Sequence, residues 1–111
     1  MRHHGAMPTM RVFRLSRARR RLLREHAEAG VTDILFVGSM RLAGVAAWFC
    51  TATDDERDKL ASHLPELERR FREVLGEVGF PETQVAECGA TVESQETVDR
   101  DWGSNWRKAM Q

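Results

Sequence analysis

The stretch MRVFRLS, residues 10–16, decides how the rest of the chain is read. It is short, partly β-branched or aromatic, and its apolar residues partly alternate, which predicts a strand. Ser16 then stands where an N-cap belongs, and a helix follows from Arg17 to Ala29. Ala18, Leu22 and Ala29 share one helical face, with Leu23 and Ala27 beside them, while Arg17, Arg20, Arg21 and Arg24 point elsewhere. Gly30 supplies a C-terminal stop.

Working outward from this segment, VTDILFVG (31–38) reads as a second strand, residues 39–43 as a turn, and GVAAWFCT (44–51) as a third strand. The third is apolar on both faces, which predicts a central place in the sheet. Thr53, Asp54, Asp55 and Glu56 spell a capping box. Leu60, Leu64, Leu67, Phe71, Val74 and Val78 then recur at steps of three and four, the stripe of a helix packed on a sheet. Pro65 lies inside this stripe without shifting it, and either kinks one helix or starts a second. Gly79, Phe80 and Pro81 end the helix, and residues 83–98 read as a last strand with Gly89 as a bulge or bend.

The order β-α-β-β-α-β predicts an α+β fold of the ferredoxin-like, split βαβ kind: a four-stranded antiparallel sheet with two helices on one face. Residues 1–9 are expected as a flexible extension, 10–98 as the domain and 99–111 as a connector. In the strand order 4-1-3-2, the first strand separates Cys50 from Cys88. That spacing, about 9.5 Å, exceeds the roughly 7 Å a disulfide spans.

The chain has 111 residues, 41% hydrophobic and 31% charged, a globular profile of one domain. No apolar run reaches the length of a membrane span, and the start has no secretory apolar core, so a cytoplasmic protein is expected. Neither cysteine belongs to a C-x-x-C pair and no histidine stands at a ligand spacing, which argues against a metal site. No nucleophile elbow or Gly-rich phosphate loop is present, and nothing in the chain points to catalysis. The net charge of zero hides an asymmetry. Residues 1–30 hold eight Arg against Glu25 and Glu28; the remainder holds nine Lys and Arg against fifteen Asp and Glu.

Two charged features carry partner readings. Arg17, Arg20, Arg21 and Arg24 form a basic helix face suited to RNA phosphates, although the aromatic strand motif of RNA-recognition domains is absent. Glu87, Glu93, Glu96, Asp99 and Asp101 make the C-terminal region acidic. Trp102 and Trp106 follow, four residues apart, so one helical turn places them on the same side.

The segment E96-T-V-D-R-D-W-G-S-N-W-R-K108, together with HAEAGVTDILF, LAGVAAWF and the start MPTMRVF, resembles the N-terminal domain of the bacterial methyltransferase that modifies ribosomal protein L-eleven of the stalk base. The resemblance covers nearly the whole chain from Met7. It implies a non-catalytic domain that recognises the ribosomal protein, with Trp102 and Trp106 in the connector to a catalytic domain. S-adenosylmethionine is expected only in that downstream domain. The acidic residues would then attract a lysine-rich partner. Gly103 and Ser104, poor helix formers, depart from the family pattern. A weaker resemblance of LASHLPELERRFREVL to flagellar hook-length control proteins implies a secretion-system adaptor.

Overall fold

The computed structural model describes residues 3–38 and 44–111, with the side chains of the first helix described from Met10 onward. The turn expected at 39–43 lies outside the described residues. The order is α1 (His3–His26), β1 (Val31–Gly38), β2 (Val45–Thr51), α2 (Asp54–Ala61), α3 (Leu64–Glu77), α4 (Glu82–Val85), β3 (Gly89–Ser94), α5 (Gln95–Trp102) and α6 (Trp106–Ala109).

The segment 10–16 is not a strand. It continues α1, which starts within the expected flexible extension, and Ser16 is an exposed mid-helix residue rather than a cap. Packing decides the matter. Leu15, Ala18 and Leu22 recur at helical spacing, Ala18 and Leu22 are completely buried, and Leu15 packs against the same core. A strand at 10–16 would have turned Leu15 away from that register. After His26 the chain turns through Gly30, whose φ of +96° belongs to glycine, and enters β1.

The final strand is also shorter than expected. Residues 82–85 form α4, Gly89 opens β3, and Ser94 ends it by capping α5, its hydroxyl accepting from the Thr97 N–H at 3.1 Å. The described residues therefore form a three-stranded mixed sheet of order β1-β2-β3, not a four-stranded antiparallel one, and the ferredoxin-like arrangement is excluded. β1 and β2 form an antiparallel pair; β3 joins β2 in parallel after the α2–α3–α4 crossover. β2 is central, as its apolar faces required.

The capping box holds: Thr53 and Glu56 bond reciprocally at the start of α2. Pro65 separates two helices, sitting in the first turn of α3 where a missing N–H costs nothing. The apolar stripe still works as one surface. Leu60, Leu67, Phe71 and Val74 join Ala18 and Leu22 against Ile34, Ala47 and Phe49, so α1, α2 and α3 cover one sheet face. On the other face Leu35, Trp48 and Thr91 form one half-exposed cross-strand row.

Both cysteines are free. The reason differs from the expected one, because no strand separates them. Cys50 sits opposite Glu93, and Cys88 lies five residues back along the same neighbour, roughly 16 Å away at strand spacing. Cys88 instead accepts from the Val45 N–H at 3.3 Å and donates to the Gln84 carbonyl at 3.2 Å. Burial, with Asp33 nearby, pushes the Cys50 thiol up to about 12.

Candidate functional site

Helix α1 sorts its arginines by what surrounds them. Arg19 faces β1, where it donates to the Ile34 carbonyl at 3.1 Å and pairs with Asp33. These contacts occupy part of the free edge of the sheet. Arg21 turns to α3 and pairs with Glu77. Arg14 lies over Gly79, its Nε 3.1 Å from where a Cβ would stand. From α3, Arg70 reaches back to grip Glu25 through two bonds of 2.7 and 2.8 Å. The Arg70 guanidinium holds the Glu25 carboxyl below its ordinary range.

Arg11, half-buried, reaches toward Gly38, its Nη2 3.6 Å from where a Cβ would stand. Of the arginines with described side chains, Arg17, Arg20 and Arg24 remain. All three are exposed, and among the described residues no carboxylate lies within ion-pair distance of them. Their spacing of three and four residues aligns them on the helix side opposite Ala18 and Leu22. Phe13, 62% exposed, continues the same line one turn earlier. The expected basic set is thus brought together at three of its four positions, and Arg21 is withdrawn into an ion pair with α3.

The acidic set is dispersed. Glu93 pairs with Arg57 at 3.0 Å. Glu96 accepts from the Asp54 N–H at 2.7 Å and so caps α2. Asp99 accepts from Gln95 at 2.7 Å and Ser104 at 2.6 Å, which hold its carboxyl below the ordinary range. Asp101 accepts from Arg100 at 3.2 Å. Glu87 is exposed in the approach to β3. These side chains brace local structure rather than converge on one face.

The tryptophans do not share a helical turn. Gly103 ends α5 at φ +57°, Ser104 follows at φ +65°, and Trp106 begins α6. Trp106 folds back so that its indole N–H donates to Gln95 at 2.9 Å, while Trp102 is 44% exposed. The expected connector is therefore two short helices held against each other.

A network that the sequence did not announce fastens this C-terminal part. Asp54, in the first turn of α2, accepts from Ser94 and from Thr97 at the start of α5, and from Arg100 at 3.1 Å. Glu96 of α5 returns the favour at the start of α2, so each helix supplies a carboxylate to the other's N-terminus. The Ser94 and Thr97 hydroxyls hold the Asp54 carboxyl down at about 2. Because this folded-state value lies below the ordinary 3.8, the tie is complete above that range and is lost as pH falls through about 2. In an acid titration followed by NMR, the Asp54 side-chain carboxyl carbon should hold its shift until below about pH 3. A midpoint near the ordinary carboxylate value would show that Asp54 does not make these bonds.

An open depression of about 290 Å³ lies among His26, Leu60, His63, Leu67, Arg70 and Glu73. Two of its polar groups already serve the fold: the His26 ring Nδ1 bonds the Leu22 carbonyl at 2.9 Å, and Arg70 holds Glu25. No group of three or more metal-ligating side chains occurs among the described residues. No described helix is long and apolar enough to cross a membrane. No family model, no curated protein and no solved structure matches the chain.

Proposed function

We propose that the chain is a small, non-catalytic RNA-binding module that engages phosphates through the exposed side of α1. The observation that carries this reading is the solvent-facing row of Arg17, Arg20 and Arg24, left uncompensated while Arg19 and Arg21 are neutralised by Asp33 and Glu77. The three span about 10 Å of helix. Guanidinium groups bind phosphate oxygens in a fork and release condensed counterions. The surplus of positive charge in residues 1–30 assists encounter with a polyanion. A cytoplasmic setting suits this role.

The test is fluorescence anisotropy with labelled single-stranded RNA over a range of salt, comparing the native chain with Arg17→Gln/Arg20→Gln/Arg24→Gln. The variant should lose at least about tenfold in affinity, and its log–log salt slope should be shallower by about 2, the effect of three contacts to a single strand. Unchanged affinity and slope would overturn the reading.

A second reading keeps the partner implied by the resemblance, the ribosomal protein of the stalk base. Its supporting observation is Trp102, whose exposed indole is the kind of anchor that protein interfaces use. The resemblance no longer has the ferredoxin-like fold behind it, and four of its five acidic residues are engaged within the chain. Titration of the labelled chain with that protein, followed by NMR, separates the two: shifts at Trp102 without shifts along α1 would favour the second.

A further inference from the structure

The exposed side of α1 is narrow, and on its flanks the cations are already taken by carboxylates. On one side α3 presents Glu73 and Glu77, whose side chains keep 51% and 48% of their surface exposed. On the other side lies Asp33 of β1, with 42%. The exposed arginines of α1 that lack a carboxylate partner therefore form a single line, bordered by ion pairs. A duplex carries two phosphate rails, and a second rail set beside the first would meet one of these borders. A single strand offers one rail and fits the line.

The line also has an aromatic end. Phe13 precedes Arg17 by one helical turn on the same side and is 62% exposed. The distance from Phe13 to Arg24 along the helix is about 16 Å, enough for several nucleotides of one strand. An exposed ring next to a cationic track is the arrangement on which unpaired bases stack. In a duplex each internal base is stacked between its neighbours, so its π-faces are covered and not available to Phe13.

Resting on the RNA reading above, we infer that α1 selects single-stranded over double-stranded RNA, with Arg17, Arg20 and Arg24 following the backbone and Phe13 stacking one base.

The experiment measures anisotropy at near-physiological salt with a labelled oligo-uridine of about ten nucleotides, a duplex of the same length and, by competition, inorganic polyphosphate. Three proteins are compared: the native chain, Phe13→Ala and Phe13→Tyr. The native chain should bind the single strand more tightly than the duplex. Phe13→Ala should weaken single-strand binding about tenfold, the effect of losing one stacked base, and leave polyphosphate competition unchanged. Phe13→Tyr should restore single-strand binding. Phe13 is largely solvent-exposed, so none of these changes touches the core. A duplex bound as tightly as the single strand would overturn the inference. So would Phe13→Ala weakening RNA and polyphosphate alike, or neither. In those cases polyanion binding through the arginines would survive. A native chain that binds no polyanion would overturn the proposed function as well.

Discussion

Phe71→Ala should lower the stability of the chain by about 4 kcal/mol, the usual cost of emptying a buried aromatic site. For a domain of this size that is a large share of a total near 10 kcal/mol. Phe71 is completely buried on α3 and meets both antiparallel strands. Its ring stacks on Phe36 of β1 at 6.1 Å and meets Phe49 of β2 edge-on at 6.4 Å. Phe49 in turn meets His26 of α1 edge-on at 5.8 Å. One side chain thus joins α3 to the sheet and, through Phe49, to the end of α1. Truncation removes dispersion contacts on every side and leaves a void that rigid neighbours cannot fill. With an m-value of about 1.5 kcal/mol/M, the urea midpoint should fall by roughly 2.5 M. Phe71→Leu, which keeps most of the volume, should cost less than half as much. Equilibrium unfolding followed by circular dichroism measures both. A loss below about 1 kcal/mol for the alanine variant would mean that α3 does not lie on the sheet as described, since exposed substitutions cost no more than that.

The contrast between what the sequence discloses and what it hides follows the range of the interactions involved. β1 and β2 are near-continuous apolar runs, and their bounds come within a residue of those read from sequence. The Thr53–Glu56 capping box is a contact over three residues and is equally legible. Residues 10–16 fail because Val12, Phe13 and Leu15 satisfy a loose alternation as well as a helical period. Only the sheet beneath Leu15, Ala18 and Leu22 decides between them. Residues 83–98 fail because the short helix α4 and the Ser94 cap interrupt an apparently extended run. The Ser94 cap was nonetheless available to inspection, since a serine directly before Gln95–Trp102 is an N-terminus signal.

The candidate interface shows the same division. That α1 is basic is plain from composition. Which arginines are free is not, because Arg19 and Arg21 are neutralised by carboxylates 14 and 56 residues away. The acidic set erred in the opposite direction. Local density suggested one attractive surface, whereas Glu93 and Glu96 are committed to Arg57 and to the Asp54 N–H, 36 and 42 residues distant. Charge counted along a chain measures supply; the fold determines how much of it remains uncompensated.

Gly44→Ala should cost about 3 kcal/mol, at the upper end of what inserting a single methyl group into a packed site does. A Cβ at Gly44 would stand 2.3 Å from the Glu87 carbonyl oxygen and 2.8 Å from both the carbonyl carbon and the Cβ of that residue. Two of those three atoms are backbone, so no rotamer change relieves the overlap. The obstacle sits where α4 hands over to β3. Directly beyond it the Val45 N–H meets the Cys88 sulfur, and Ala46 begins the parallel pairing with Gly89. Displacing residue 87 therefore disturbs the first contacts that align β3 with β2, and a parallel pair has no tight hairpin to restore its register. The matching control is Gly76→Ala. Gly76 lies on the exposed side of α3 with nothing within 4 Å of its missing Cβ. Alanine there should stabilise the chain by about 1 kcal/mol, through helix propensity and a less flexible unfolded state. The same chemical change is thus expected to act with opposite signs 32 residues apart. Thermal melts of the two variants decide the point. If Gly44→Ala melts with the native chain while Gly76→Ala melts above it, the close approach of residues 44 and 87, and with it the placement of β3 beside β2, is wrong.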